Sequence, residues 1–265
     1  MALACQAAYC GMVEHMDTLF GQVWDTFEQF CENRQSKHAV FYLSDHGDQV
    51  GDIHIVGKET FYERSAKIPF IAAGDGIISK KRVNVPVSMM DIGPTILEYT
   101  QAAPLKDIDG ISVASALYSD HVDTHPVISE FMEKTDGGFI FAPYKDSDEY
   151  SHGFMLRYGD YKYVTYQTFE NQDALYSIKN DPEERVNLTH KEPEVLAQMK
   201  EMSKNLMHTE EAQKNFRREA RVNDLMLLWE RAKGDADESL RWKGASEAAG
   251  KYPEICYKNP AYFEK

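Results

Sequence analysis

Residues 38–70 read HAVFYLSDHGDQVGDIHIVGKETFYERSAKIPF, and the fold turns on this stretch. Ala39-Val40-Phe41-Tyr42-Leu43 is apolar, β-branched and aromatic, and it stops at Ser44-Asp45-His46-Gly47-Asp48. A run of this kind, ended by small and acidic residues, predicts a buried strand feeding a loop. In open α/β sheets, binding sites lie just outside the carboxyl ends of strands. Asp45 and His46 fall at such an end.

Upstream, residues 2–31 predict one amphipathic helix. Met12, His15, Met16, Leu19, Val23 and Phe27 recur at helical spacing, which makes this a covering helix with its apolar row in the core. Downstream, Lys67–Ala73 predicts a second buried strand, with Pro69 at its start or on an edge. Ser88 followed three residues later by Asp91 predicts an N-terminal cap, and Pro94 is expected at the first position of the next helix. A turn at Asp109-Gly110 precedes a short helix over Val113–Leu117.

Beyond residue 120 the pattern changes. Residues 125–131, 152–158, 161–167 and 174–178 read as short strands. Tyr158-Gly159-Asp160 is a hairpin signal between two of them. A helix over 191–207 packs this antiparallel sheet. A charged helix at 209–233 and a polar tail anchored by Trp242 and Tyr262 complete the chain. The expected organisation is an α/β domain portion over 1–120, an antiparallel-sheet subdomain over 121–207, and a helix with an extended tail over 208–265.

The 265 residues are 43% hydrophobic and 27% charged, an ordinary globular composition. The net charge of −14 argues against nucleic acid and anionic membranes as partners, because phosphate contacts need basic patches. It also means that an anionic substrate needs a local cation. No stretch approaches the roughly 20 apolar residues of a membrane span. The N-terminus lacks the basic region of a signal peptide, so a cytoplasmic location is favoured. Cys5, Cys10, Cys31 and Cys256 form no CxxC and no zinc spacing, and are expected to be reduced, mostly buried thiols.

Asp45-His46 is the strongest site signal. A carboxylate oxygen and an imidazole nitrogen at the tip of a strand can enter one divalent coordination sphere. The competing reading is a loop aspartate capping the next turn beside a surface histidine. Gly47 weakens it by letting the backbone turn sharply there. Lys58 can neutralise a sulfate or phosphate oxygen, and His54 can protonate a leaving group; taken alone, each reads more readily as a solvated loop residue. Ser44 and Ser65 lack any nucleophile motif, and Ser151-His152 is a pair without a third partner.

Taken in order, these motifs resemble the C-terminal portion of a sulfatase of the alkaline phosphatase superfamily. The carrying residues are Tyr9–Asp17, Ser44-Asp45-His46-Gly47-Asp48, Gly57-Lys58, Thr60-Phe61-Tyr62-Glu63 and Ile68-Pro69-Phe70-Ile71. Asp91–Leu97, Asp109–Ser112, Arg157–Tyr163, Leu175-Tyr176, Asn180–Glu184 and Asn187-Leu188 follow, so the resemblance covers about residues 2–207. It implies the C-terminal part of an alkaline-phosphatase-like mixed sheet, followed by a small antiparallel sheet with a helix. It also implies that Asp45 and His46 ligate a divalent cation, calcium first, with manganese or magnesium as substitutes. Lys58 would contact the sulfate of a small-molecule sulfate ester. The family often has Gly-Glu-His-Gly before this lysine; here the run is Gly51-Asp52-Ile53-His54, with the histidine displaced by one residue.

The family's nucleophile, a formylglycine made in a C/S-x-P-x-R run, lies in the N-terminal half of its members with the first paired metal aspartates. This sequence carries neither. The expectation is therefore a truncated or split sulfatase, inactive alone, that self-associates or finds an N-terminal half in another chain. The alternatives are a phosphonate or phosphate monoester hydrolase of the same superfamily, and a non-catalytic chain acting as partner or scaffold.

Overall fold

The structure, a computed structural model, describes residues 2–58, 60–119, 122–134, 150–166, 172–208, 210–219, 222 and 225. The chain divides into two compact units, Met1–Met207 and His208–Lys265. In the second unit, residues 210–219 are helical. Trp229, Trp242, Cys256 and Tyr262 lie outside the described residues.

Helix α1 (Ala2–Arg34) opens the chain. It ends where Gln35 takes a left-handed conformation (φ 52°) and Ser36 N–H donates to Cys31 O at 3.1 Å, closing the last turn. Strand β1 (Ala39–Leu43) then leads into a loop that carries a 3-10 turn at Asp52–His54 and one turn of α-helix, α2 (Glu63–Ala66). Strand β2 (Phe70–Gly74) returns antiparallel to β1, from Leu43↔Phe70 to Ala39↔Gly74. Pro69 stays just outside the ladder, where its missing N–H costs nothing. Gly74, at φ 138°, sits so close to His38 that a Cβ would lie 2.3 Å from its carbonyl oxygen.

Helix α3 (Ile92–Tyr99) lies against one face of this pair, with the Tyr99 ring edge-on to Phe41 at 6.2 Å. Helix α1 lies against the other, with Phe20 and Tyr42 ring centroids 4.8 Å apart. The strands are half-buried rather than buried, because a two-stranded ribbon offers little width to cover.

The apolar row expected in the core of α1 is instead exposed, from Met12 (59%) to Val23 (65%). The reason is length. Thirty-three helical residues span about 50 Å, whereas a five-residue strand spans about 17 Å. Only the last turns, through Phe20, Trp24, Phe27 and Cys31, meet the ribbon and His38. Cys5 and Cys10 are exposed with the rest of the helix, and among the described residues only Cys31 is the buried thiol expected from composition.

Ser88 caps a 3-10 turn at Met89–Asp91 through a full capping box, as its spacing predicted. Pro94 sits inside the first turn of α3 rather than at its first position. That is tolerated because the first four N–H groups of a helix have no intrahelical acceptor. Helix α4 (Ser115–Tyr118) follows.

The C-terminal part of the first unit is a four-stranded antiparallel meander: β3 (Val127–Lys134), β4 (Tyr150–Tyr158), β5 (Tyr161–Tyr166) and β6 (Ala174–Ser177). Alternation separates its two faces. Phe154, Leu156, Tyr163 and Leu175 point one way and pack on Met199 of α5 (Pro193–Leu206). Met155 and Val164 point the other way and pack on Phe61, from the loop after β1. The loop that carries the candidate site is thus seated on the back of the C-terminal sheet.

Candidate functional site

The site begins where β1 ends. Ser44 Oγ donates to His46 O at 2.8 Å, and His46 N–H donates to Asp45 Oδ1 at 2.9 Å. That backbone N–H is the main reason the Asp45 carboxyl lies below the ordinary aspartate range. His46 Nδ1 lies 2.8 Å from Gly47 O. A carbonyl only accepts, so Nδ1 carries the proton and Nε2 keeps its lone pair. Nε2 faces Lys58 Nζ at 2.7 Å and Asp45 Oδ2 at 3.4 Å.

Lys58 is twelve residues away and is brought back by loop closure. Gln49 N–H donates to Gly57 O at 2.7 Å, and Gln49 Nε2 donates to Thr60 Oγ1 at 2.6 Å. Gly47 N–H donates to Ser65 O at 2.7 Å. A Cβ at position 47 would lie 2.0 Å from Arg64 O, so this crossing of backbones requires glycine.

His54 is not part of this convergence. It is exposed at the end of the 3-10 turn Asp52–His54 and shares no hydrogen bond with Asp45, His46 or Lys58. Val50, Ile53 and His54 all take positive φ (48°, 44° and 65°), so strain concentrates in this turn. The position that is glycine in the resembling Gly-Glu-His-Gly run is the left-handed His54 here. Arg64 pins the turn, donating to Asp52 Oδ2 at 2.9 Å and to Glu183 Oε1 at 3.1 Å. Ser44 serves the turn, and Ser65 is buried in α2. His152 is fully buried in β4, an interior group with Nε2 3.7 Å from Glu130 Oε1.

Two buried ionic groupings escape a reading of spacing. Asp91 does more than cap. Its Oδ1 accepts from Ile111 N–H at 3.0 Å, and its Oδ2 lies 2.9 Å from His125 Nε2. Lys162, with 0% exposure, reaches Glu63 Oε1 at 2.9 Å and Glu184 Oε1 at 2.6 Å. The signal for Lys162 is a lysine on the same strand face as Val164, in an otherwise apolar and aromatic strand.

The sulfatase family model matches residues 6–102, which contain the whole of this loop. This segment is similar to the sulfatases. Arylsulfatase K of Danio rerio is 24% identical over 245 residues, covering 89% of this chain and 44% of its own length. A solved 2-O GAG sulfatase is 29% identical, with a TM-score of 0.54, over 68% of this chain and 37% of that one. The phosphonate monoester hydrolase of Agrobacterium radiobacter shares the fold at 20% identity and a TM-score of 0.55, over 72% of this chain and 38% of its own. The chain therefore spans less than half the length of these relatives, and its α/β architecture is sulfatase-like.

Among the described residues, no three His, Cys, Asp or Glu side chains form a metal-binding group. Asp45 and His46 supply two donors facing one another, an ionised carboxylate and an imidazole lone pair that faces the Lys58 ammonium. That donor pair fits two positions of a divalent cation's shell. No helix among the described residues is long and apolar enough to cross a membrane.

Proposed function

We propose that this chain contributes the cation- and anion-binding part of a site for sulfuric ester hydrolysis. The observation that carries this reading is the meeting of Asp45 Oδ2, His46 Nε2 and Lys58 Nζ beyond the end of β1. Asp45 and His46 would hold a divalent cation, calcium by preference and manganese or magnesium as substitutes. Such a cation, when bound, supplies positive charge to a sulfate oxygen.

The residues themselves are prepared for this. Asp45 stays ionised well below neutrality because an N–H donates to it. His46 presents Nε2 because Gly47 O occupies Nδ1. Lys58 gives the anion a local cation in a chain of net charge −14. A cation held on His46 Nε2 would take the lone pair that Lys58 Nζ faces at 2.7 Å, and the ammonium would then be available to the sulfate. His54, at the far turn of the loop, serves as a substrate contact or leaving-group acid.

The sequence contains no C/S-x-P-x-R run, so the nucleophile in this reading comes from outside these 265 residues. Calorimetric titration of the purified chain with calcium and with manganese tests the site. Binding is expected in the parent and lost in Asp45→Ala and His46→Ala. Parallel assays use an aryl sulfate and an aryl phosphonate monoester, and no turnover of either is expected from the chain alone. Turnover that Asp45→Ala abolishes would show that a nucleophile is present after all. A preference for the phosphonate would select phosphonate hydrolysis instead.

A further inference from the structure

We infer that Lys162, remote in sequence and buried in the C-terminal sheet, is a positioning residue for His46. The inference rests on the reading of Asp45, His46 and Lys58 as the site. It follows an unbroken series of short contacts. Lys162 Nζ is held between Glu63 Oε1 (2.9 Å) and Glu184 Oε1 (2.6 Å). The other oxygen of Glu184 accepts the backbone N–H of Glu63 at 2.5 Å. The first residue of α2 is therefore gripped through both its side chain and its backbone.

Two residues on, Ser65 O accepts the N–H of Gly47 at 2.7 Å, and the backbone at Arg64 leaves no room for a Cβ there. The carbonyl of that same Gly47 receives the His46 Nδ1 proton at 2.8 Å. The path runs from a buried ammonium to the tautomer of a surface imidazole, with no flexible link between.

Energetics give the path its weight. A lysine and two carboxylates out of water are tolerable only together, because removing one partner leaves a charge buried and unpaired. Without Lys162, Glu63 and Glu184 repel each other and are left with the charge of Arg157 alone, the cross-strand neighbour of Lys162. Relief comes from a proton on Glu184, whose carboxyl burial already pushes up, and from α2 lifting toward solvent, which takes Ser65 O away from Gly47. His46 then loses the fixed acceptor for Nδ1. A metal-binding histidine is ordinarily oriented by the partner of its other nitrogen. Here that partner is a backbone carbonyl, and its place is set by an ion cluster in another part of the unit.

The test is nitrogen NMR of the full-length, metal-free chain carrying 15N-labelled histidine, at a pH where the imidazoles are neutral. In the parent, His46 is expected to show a protonated Nδ1 and an unprotonated Nε2. In Lys162→Met, the Nδ1–H form is expected to fall from dominant to minor, toward the Nε2–H preference of free imidazole. If Lys162→Met does not fold, a variant with Lys162→Met, Glu63→Leu and Glu184→Leu removes all three charges and fills the space with apolar groups. It is expected to fold and to show the same loss.

A folded variant with the parent's His46 tautomer, or a parent lacking the Nδ1–H form, overturns the inference. Calcium titration of the same samples separates the two claims. A parent that shows the tautomer and binds no cation refutes the metal reading and leaves the positioning role standing.

Discussion

At the residue scale, Gly47 bears most of the local geometry. Its N–H meets Ser65 O, its carbonyl meets His46 Nδ1, and a Cβ would stand 2.0 Å from Arg64 O. Gly47→Ala must push the loop off α2, since backbone cannot yield as a side-chain tip can. The expected cost is about 1–3 kcal/mol of stability, as for other overpacked sites. Cation affinity is expected to drop about 10–100-fold, as when an orienting partner of a ligand is lost. Urea melts and calorimetry measure the two effects. The place of Asp45 and His46 just beyond a strand was legible because a short acidic motif ends an apolar run there. Lys162 was not, because its partner Glu63 lies 99 residues away and sequence spacing carries no sign of burial. The position of His54 was illegible for a related reason: a histidine among loop residues gives no hint that it takes φ 65° and stands apart from Asp45, His46 and Lys58.

At the element scale, capping and alternation were legible where they are local. Ser88 and Asp91 form the box their spacing predicts, and the meander follows from alternation with Gly159 at the hairpin. Ser88→Ala is expected to cost about 1 kcal/mol, the usual loss for a cap, read as a lowered denaturation midpoint. Met199 of α5 is almost fully buried against Leu156, Tyr163 and Leu175. Met199→Ala is expected to cost about 2–5 kcal/mol by the same measurement, because it leaves a cavity between helix and sheet. What failed was local pattern taken as a guide to burial. The apolar row of α1 is spaced for a core, yet Met16 and Leu19 are exposed because the ribbon is too short to reach them. Periodicity specifies which face of a helix is apolar; only the partner's dimensions decide how much of that face is covered.

For the molecule as a whole, packing is uneven, and stability should follow it. Phe154, Leu156 and Leu175 are fully buried, and the sheet they belong to is covered on both faces. The first turns of α1 touch none of this core. Helices without a packed face are marginal in water, so amide exchange is expected to be fastest over residues 3–19 and slowest in β4 and β5. The same core sets the response to alkali. Tyr163 is 3% exposed, and burial pushes its hydroxyl up from 10.0 to about 12. Burial raises Tyr176 in the same sense. A raised phenol is protonated in the folded chain over a range where the unfolded chain has already ionised. The stabilisation these tyrosines give is therefore whole below pH 10, and it drains away as the pH rises from 10 toward 12. Each contributes a slope on the order of 1.4 kcal/mol per pH unit in that window. Unfolding free energies measured in urea between pH 9 and pH 12 should fall in the parent and fall less steeply in Tyr163→Phe. Equal slopes would mean that Tyr163 ionises in the folded sheet as readily as in water, and that the core around it is open to solvent.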